Sequence, residues 1–314
     1  SLPEEFTEGI RQCLSGEGEF EFPRWGIEGL PKMSPLWLLK YLPNMPASHV
    51  AIFNDLRGPS NSLTLREAGS NLAIGEAYQI IRRGNADVMV CGATGTRLHT
   101  MKTMHAVSQE EVANGNGDPT KVSRPFDQNR SGMVLGEGAG AIIIEELAHA
   151  QARGRTIYGE IVAASSRAAA APRLVARRKL ALANVLRALL QDSGFRPEEI
   201  DHLHAHGLST QSCDAEEAQA IAETFGPRAR TLPVVAAKSY FGNLGAGSGM
   251  VELIASLLAL RAGSLFPTLN YETADAECPI HVVRDNATPA GKRFINLSVT
   301  PQGQASGVVV QQLA

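Results

Sequence analysis

Two stretches of this chain are built alike, and together they restrict the fold more than anything else in it. Residues 57–75, RGPSNSLTLREAGSNLAIG, read as a strand that ends in a sharp turn and opens a helix of small residues. Residues 232–237 predict a second strand, and KSYFGNLGAGSGMVELIASLLALRAG after it repeats the turn and the small-residue helix. A repeated strand, turn and buried helix, each copy feeding further strands, predicts a duplicated α/β architecture with helices sandwiched between sheets. In the first copy Glu67 sits at the turn, where unpaired N–H groups and the helix dipole favour negative charge. Such a position suits an anion or a nucleophile.

Other elements frame these two units. Residues 4–14 predict a short helix; residues 31–54 predict two more, the second starting after Pro46, with Trp37, Leu38, Tyr41 and Met45 as an apolar face for a partner subunit or for the same chain. The first small-residue helix stops at Gly84, and residues 86–91, ADVMVC, read as a buried strand. Residues 94–127 form a long polar connection holding NGNGDP and SRPFD, of the kind that covers a site or an interface. The LGEGAG tract within residues 134–146 leads into a strand instead of opening a helix, and no G-K-[ST] follows, so close backbone packing explains its glycines better than phosphate binding. Then come a helix over 146–154, a strand over 157–164, a stretch without periodicity, and a helix over 179–193 stopped by Gly194. A strand ending in HLHAHG, a helix over 215–225, and closing strands at 294–299 and 307–311 around TPQGQA complete the pattern.

At 314 residues and 44% apolar, the chain can bury a large core as one large or two fused domains. Its 29 basic and 32 acidic residues are interspersed, so no basic stripe argues for nucleic acid. The cysteines at 13, 91, 213 and 278 form no C-x-x-C pair, which fits reduced thiols in a cytosol better than disulfides or zinc. The N-terminal SLPEEFTEGI is acidic and does not read as a signal peptide. The most apolar segment, residues 253–260, is far shorter than the roughly 20 residues a membrane span needs and reads as core helix.

Four polar residues fall at the ends of predicted strands, where α/β sheets collect ligands: Glu67, His206, Lys238 and Asn243. His206 reads either as a site residue or as a turn histidine bonded to backbone; His202 and His204 on the same strand weigh toward the site. Lys238 reads either as a surface lysine or as a buried one, and Ala236, Ala237 and the glycine-rich helix behind it leave little room for solvent.

In order, RGPS with its helix-opening turn, ADVMVCGAT, SRPFD with Arg130 and Gly132, LGEGAG, HAHGLST with Asp214, and KSYFGNLGAGSGMVE resemble the elongating β-ketoacyl-acyl carrier protein synthases (the 3-oxoacyl-acyl carrier protein synthase II type) of the thiolase fold, over nearly the whole chain. The resemblance implies a five-layered α-β-α-β-α dimer, with residues 1–155 as the remainder of the N-terminal half and 156–314 as the C-terminal half. The chain begins partway into the first half of the family pattern, so opening strands and helices of that half are expected to be missing. It also implies a cysteine that takes an acyl chain from a carrier protein and two histidines that assist malonyl decarboxylation and condensation. Carried over by position, the cysteine seat is Glu67, the first histidine is His206, the lysine is Lys238, the second histidine is Asn243, and the glutamate on the following helix is Glu252. No bound cofactor is implied beyond the phosphopantetheine arm of the carrier protein, for which Thr210 keeps one contact position while Leu208 replaces another. The family's C-terminal phenylalanine gate gives way to a tract containing Thr300-Pro301-Gln302-Gly303.

These departures have chemical consequences. A glutamate at the helix N-terminus keeps the negative charge, but it is a weak nucleophile whose acyl product would be an easily hydrolysed anhydride. Losing one oxyanion donor costs about 2.7–4 kcal/mol of barrier. The expected function is therefore a family member impaired in condensation, resembling chain-length factors, that partners carrier protein and an active synthase or a second copy of itself. A malonyl-carrier-protein decarboxylase using His206 and Lys238, an acyl-thioester enzyme with Glu67 as base, and a dimeric scaffold remain the alternatives. For decarboxylation, a substrate carboxylate about 4 Å from Glu67 would cost on the order of 4 kcal/mol at an effective dielectric of about 20.

Overall fold

The computed structural model describes residues 4–33, 36, 39, 42–114 and 118–313. Trp37, Leu38 and Tyr41 of the expected apolar face, and residues 115–117 of NGNGDP, lie outside the described residues. The chain forms two compact units, Ser1–Ser62 and Leu63–Ala314. The first holds α1 (Glu4–Gln12) and α2 (Met45–Phe53). Pro46 falls in the first turn of α2, where a missing N–H leaves no bond unmade, so the helix starts at Met45 and not after the proline.

The second unit contains, in order, α3 (Gly69–Arg82), β1 (Val88–Thr96), α4 (Thr100–Gln109), β2 (Glu137–Glu145), α5 (Leu147–Ala152), β3 (Glu160–Ala168) and α6 (Arg178–Ser193). There follow β4 (His202–His204), α7 (Gln211–Phe225), β5 (Pro233–Val235), a single helical turn (Lys238–Phe241), α8 (Ser248–Ala262), β6 (His281–Val282), β7 (Arg293–Val299) and β8 (Gln304–Gln311). Six strands form one mixed sheet in the order β3-β8-β7-β4-β5-β6; β8 pairs antiparallel with β3 and β7, and the β7-β4-β5-β6 pairings are parallel. β1 and β2 pair antiparallel in a separate two-stranded sheet, with Val88 opposite Glu145 and Thr96 opposite Glu137.

Layering follows from which helix faces are apolar. On α6, Ala181, Leu182, Val185, Leu186 and Leu189 recur at helical spacing, are fully buried, and pack with α7 on one face of the large sheet. α3 and α8 lie between the two sheets, contacting both. Their small residues are what permits this: a Cβ at Gly249 would sit 2.9 Å from Ser298 Oγ and 3.1 Å from Ser70 Cβ. Buried amides bind the layers, Asn296 Nδ2 donating to Asn71 Oδ1 and to the Gly249 carbonyl, both at 2.9 Å. Four of the five expected layers are built by this unit; the outer face of β1–β2, with Val88, Val90 and Ile143, is exposed.

Three expectations change. Residues 57–65 form no strand, because no strand among the described residues lies beside them to complete a hydrogen-bonded ladder. The connection over 94–127 is not structureless: β1 runs on to Thr96 and α4 follows, its single buried residue Ala106 packing with Met133 and Leu208. The stretch Gly245–Ala262 is long and apolar enough to cross a membrane by length and composition, longer than the eight residues read from sequence. It carries Glu252 in its middle and packs between the two sheets as a core helix.

Leu186 is fully buried in the α6 core. Leu186→Ala is expected to destabilise the protein by about 2–5 kcal/mol, read as a lowered denaturant midpoint with unchanged slope.

Candidate functional site

The turn before α3 is strained. Arg66 has φ of 44°, a left-handed conformation unusual for a residue with a side chain, and one 3-10 turn, Arg66–Ala68, then leads into the helix. This places Glu67 at the helix start with 1% exposure. A carboxylate so buried needs partners, and it has two guanidiniums: Arg66 Nε lies 3.3 Å from Oε2, and Arg97 Nη1 lies 3.6 Å from Oε1. Both arginines also bind Glu110, Arg66 Nη2 at 2.9 Å and Arg97 Nη2 at 2.6 Å. Two acids and two bases thus form a closed quartet without formal net charge. Glu67 Oε2 is buried without a hydrogen-bond partner, since Arg66 Nε approaches it outside hydrogen-bond geometry.

Asn243 meets Glu67 directly. Its Nδ2 donates to Glu67 Oε1 at 3.2 Å and to Met133 Sδ at 3.4 Å, while its Oδ1 accepts from Gly245 N at 2.9 Å and Ser248 Oγ at 3.3 Å. Both ends of the amide are therefore committed to the turn and the quartet. The turn itself depends on glycine: Gly242 has φ of 73°, and a Cβ there would sit 2.7 Å from the Val134 carbonyl oxygen.

His206, Lys238 and Glu252 form the second group. All three are buried, and the Lys238 ammonium pairs with Glu252 Oε1 while donating to the His206 carbonyl at 2.6 Å and to His206 Nδ1 at 3.2 Å. An ammonium has no lone pair, so Nδ1 must accept and the ring proton of the neutral imidazole lies on Nε2. That Nε2 is buried with no partner. Burial first, then Lys238 and Arg178, hold His206 well below the usual histidine range, so the ring is neutral. Burial pushes the Glu252 carboxyl up, and Lys238 opposes it.

The loop carrying His206 is clamped by α7. Glu217 accepts the N–H groups of His206 (2.7 Å) and Gly207 (2.8 Å). Asp214 accepts those of Leu208 (2.9 Å), Ser209 (3.0 Å), Thr210 (3.3 Å) and, across the chain, Phe126 (2.9 Å). Thr210 caps α7, its hydroxyl accepting from Cys213 N at 3.3 Å. Burial outweighs these donors, pushing the Asp214 carboxyl up to about 6 and that of Glu217 up to about 7. Thr300 opens the tight turn between β7 and β8, its carbonyl accepting from Gly303 N at 3.0 Å.

The residues singled out by sequence thus fall into two sets, Glu67 with Asn243 and His206 with Lys238 and Glu252. Arg66, Arg97 and Glu110 were not legible: they join over separations of up to 44 residues, and no periodicity marks a partner that distant. Glu217, three residues beyond Asp214 on the same helix, could have been suspected from that spacing. All four cysteines are free and buried. Among the described residues, no group of three or more His, Cys, Asp or Glu could hold a metal ion.

Comparison with known proteins identifies the family. Residues 24–150 match the N-terminal domain of beta-ketoacyl synthase and residues 158–272 match its C-terminal domain. The chain belongs to the β-ketoacyl synthase family. It is 37% identical over 264 residues to 3-oxoacyl-[acyl-carrier-protein] synthase 2 of Synechocystis sp., a match covering 82% of this chain and 62% of that protein. The chain therefore spans less than two thirds of that relative's length. Among solved structures, a beta-ketoacyl synthase from Burkholderia phymatum aligns with a TM-score of 0.87 at 26% identity, over 98% of this chain and 75% of that one. The ishigamide ketosynthase/chain length factor aligns with a TM-score of 0.82 at 25% identity, over 93% of this chain and 70% of that one. The fold is thiolase-like.

A carboxyl whose pKa is raised on folding holds its proton in the native state after the unfolded chain has lost it. Stability should therefore fall as pH rises from about 4.5 toward about 7 and level off above. In Glu217→Gln this part of the dependence is expected to vanish, so denaturation midpoints at pH 5 and pH 8 should lie closer together than in the wild type.

Proposed function

We propose that this chain is a non-condensing β-ketoacyl synthase subunit of fatty acid or polyketide assembly, acting with acyl carrier protein and an active ketosynthase in the manner of a chain-length factor. The observation that carries this reading is the fate of two seats the family uses for acyl transfer and condensation. Glu67 is an ion-paired carboxylate buried in the quartet with Arg66, Arg97 and Glu110, and the Asn243 amide is spent on Glu67 and Met133. A carboxylate held by two guanidiniums is a poorer nucleophile than a free one, because attack forfeits both ion pairs. Of the two donors that would face a thioester oxygen, only the Nε2–H of His206 is uncommitted. The phosphopantetheine arm would pass Thr210, and the halves 1–155 and 156–314 would be the two repeats of the duplicated fold.

A second reading gains support from the same quartet. The repulsion expected between Glu67 and a malonyl carboxylate assumed a lone charge, and Arg66 and Arg97 offset it. Decarboxylation of malonyl-carrier protein, with the enolate oxygen bound by His206 Nε2–H, is therefore electrostatically open although condensation is not.

Incubation of the wild type with acyl-carrier protein is expected to give no mass increase on the intact chain, whereas Glu67→Cys gives an acyl adduct. A stable adduct on wild-type Glu67 overturns the non-condensing reading. Carbon dioxide release from malonyl-carrier protein that drops at least about 100-fold in His206→Ala would establish the second reading, and release no higher than the blank would remove it.

A further inference from the structure

The core beside the site holds a chain of neutral hydrogen bonds with only one possible direction. His202, His204 and His206 alternate along β4 and its extension, so they share one face of the strand. Glu252 and Ser256, four residues apart on α8, share the facing side of that helix. Lys238 joins His206 to Glu252, and Ser256 joins the other two imidazoles: its Oγ lies 2.8 Å from His204 Nδ1 and 3.2 Å from His202 Nε2. The outer ring nitrogens bind backbone, with Ala237 N–H donating to His204 Nε2 at 3.3 Å and His202 Nδ1 lying 2.8 Å from the Ala290 carbonyl.

Each end fixes the protons. A backbone N–H can only donate, so His204 Nε2 is bare and its proton is on Nδ1, donated to Ser256 Oγ. The single Ser256 hydroxyl proton must then go to His202 Nε2, and the remaining proton of His202 sits on Nδ1 and goes to the Ala290 carbonyl, which can only accept. The assignment made from Ala237 agrees with that made from Ala290. Both rings are fully buried, and among the described residues neither is hydrogen-bonded to a carboxylate. Burial holds His202 down at about 4 and His204 well below its ordinary range, the latter with help from Lys238 and His202. Ending on two peptide groups, neither of which titrates, the chain cannot carry a proton out of the core. What it can do is hold geometry, because Ala237 is the residue whose carbonyl and Cα lead directly into Lys238.

We infer that His202, Ser256 and His204 are positioning residues that fix the backbone entering Lys238, and so hold its ammonium between Glu252 and the Nδ1 of His206. Through Lys238 they keep His206 in the tautomer that presents Nε2–H. This inference concerns the geometry of the site and stands whether or not the chain condenses or decarboxylates.

Long-range proton–nitrogen correlation spectra of the full chain with 15N-labelled histidine test it. In the wild type, His202 and His204 are expected as Nδ1–H tautomers and His206 as the Nε2–H tautomer, with all three rings still neutral below the pH at which an exposed histidine charges. Ser256→Ala should shift the ring nitrogens of His206, to which the Ser256 hydroxyl is not hydrogen-bonded, and raise its titration midpoint by about one unit as Lys238 loosens. Ser256→Thr, which keeps the hydroxyl, should restore the wild-type spectrum of His206. If Ser256→Ala does not fold, Ser256→Cys, a weaker donor closer in volume, must move His206 in the same direction. An Nε2–H tautomer at His202 or His204 in the wild type overturns the relay. A His206 spectrum unchanged by loss of the Ser256 hydroxyl overturns the positioning role, while leaving the proposed function untouched.

Discussion

The buried ammonium of Lys238 is the charge on which the rest of the second unit depends. Removed from water, it is tolerable only because Glu252 neutralises it and the His206 carbonyl and Nδ1 take its remaining donors. Breaking such a pair by removing one partner costs about 3–5 kcal/mol, since the other charge is left alone in the interior. Satisfying Lys238 brings together three elements distant in sequence: the end of β4, the single turn after β5, and the middle of α8. The placing of Glu252 on α8 against the end of β4 and the orientation of His206 both serve one electrostatic requirement.

A second charge problem, at Glu67, is solved in the opposite manner. Glu67 shares its counterions: Arg66 and Arg97 each serve both Glu67 and Glu110, and the quartet balances without a substrate. Arg97 follows the end of β1 and Glu110 follows α4, so the ion pair between them also closes the neck of the segment that carries α4. Asn243 then hydrogen-bonds to the Glu67 carboxylate. The two side chains fit each other: an imidazole in place of Asn243 could not at once donate to Glu67 and accept from both Gly245 N and Ser248 Oγ, as the amide does.

Much of this was legible beforehand, for identifiable reasons. Helix α6 announced itself by apolar spacing and by Gly194, which takes φ of 72° at its end. β7 and β8 were legible as apolar runs, and the pair of small-residue helices was legible as a repeat. The strand expected over 57–65 was not found, because a strand exists only with a neighbour, and sequence pattern reports propensity without pairing. α4 was missed because nine of its ten residues are not buried, leaving little of the apolar periodicity on which a helix assignment rests. The strand pattern placed Glu67, His206, Lys238 and Asn243 at strand ends and the family resemblance added Glu252 on the following helix, yet neither carried information on which of them touch.

The duplicated α/β pattern and the family could be read from the residues alone, because these are matters of spacing and side-chain type. Folding had to supply the arginines that pair with Glu67, the contacts that commit the Asn243 amide, and the burial that keeps three imidazoles uncharged. Those properties arise from desolvation and from hydrogen-bond directionality among groups tens to hundreds of residues apart. Neither acts until folding has excluded water and brought donor to acceptor.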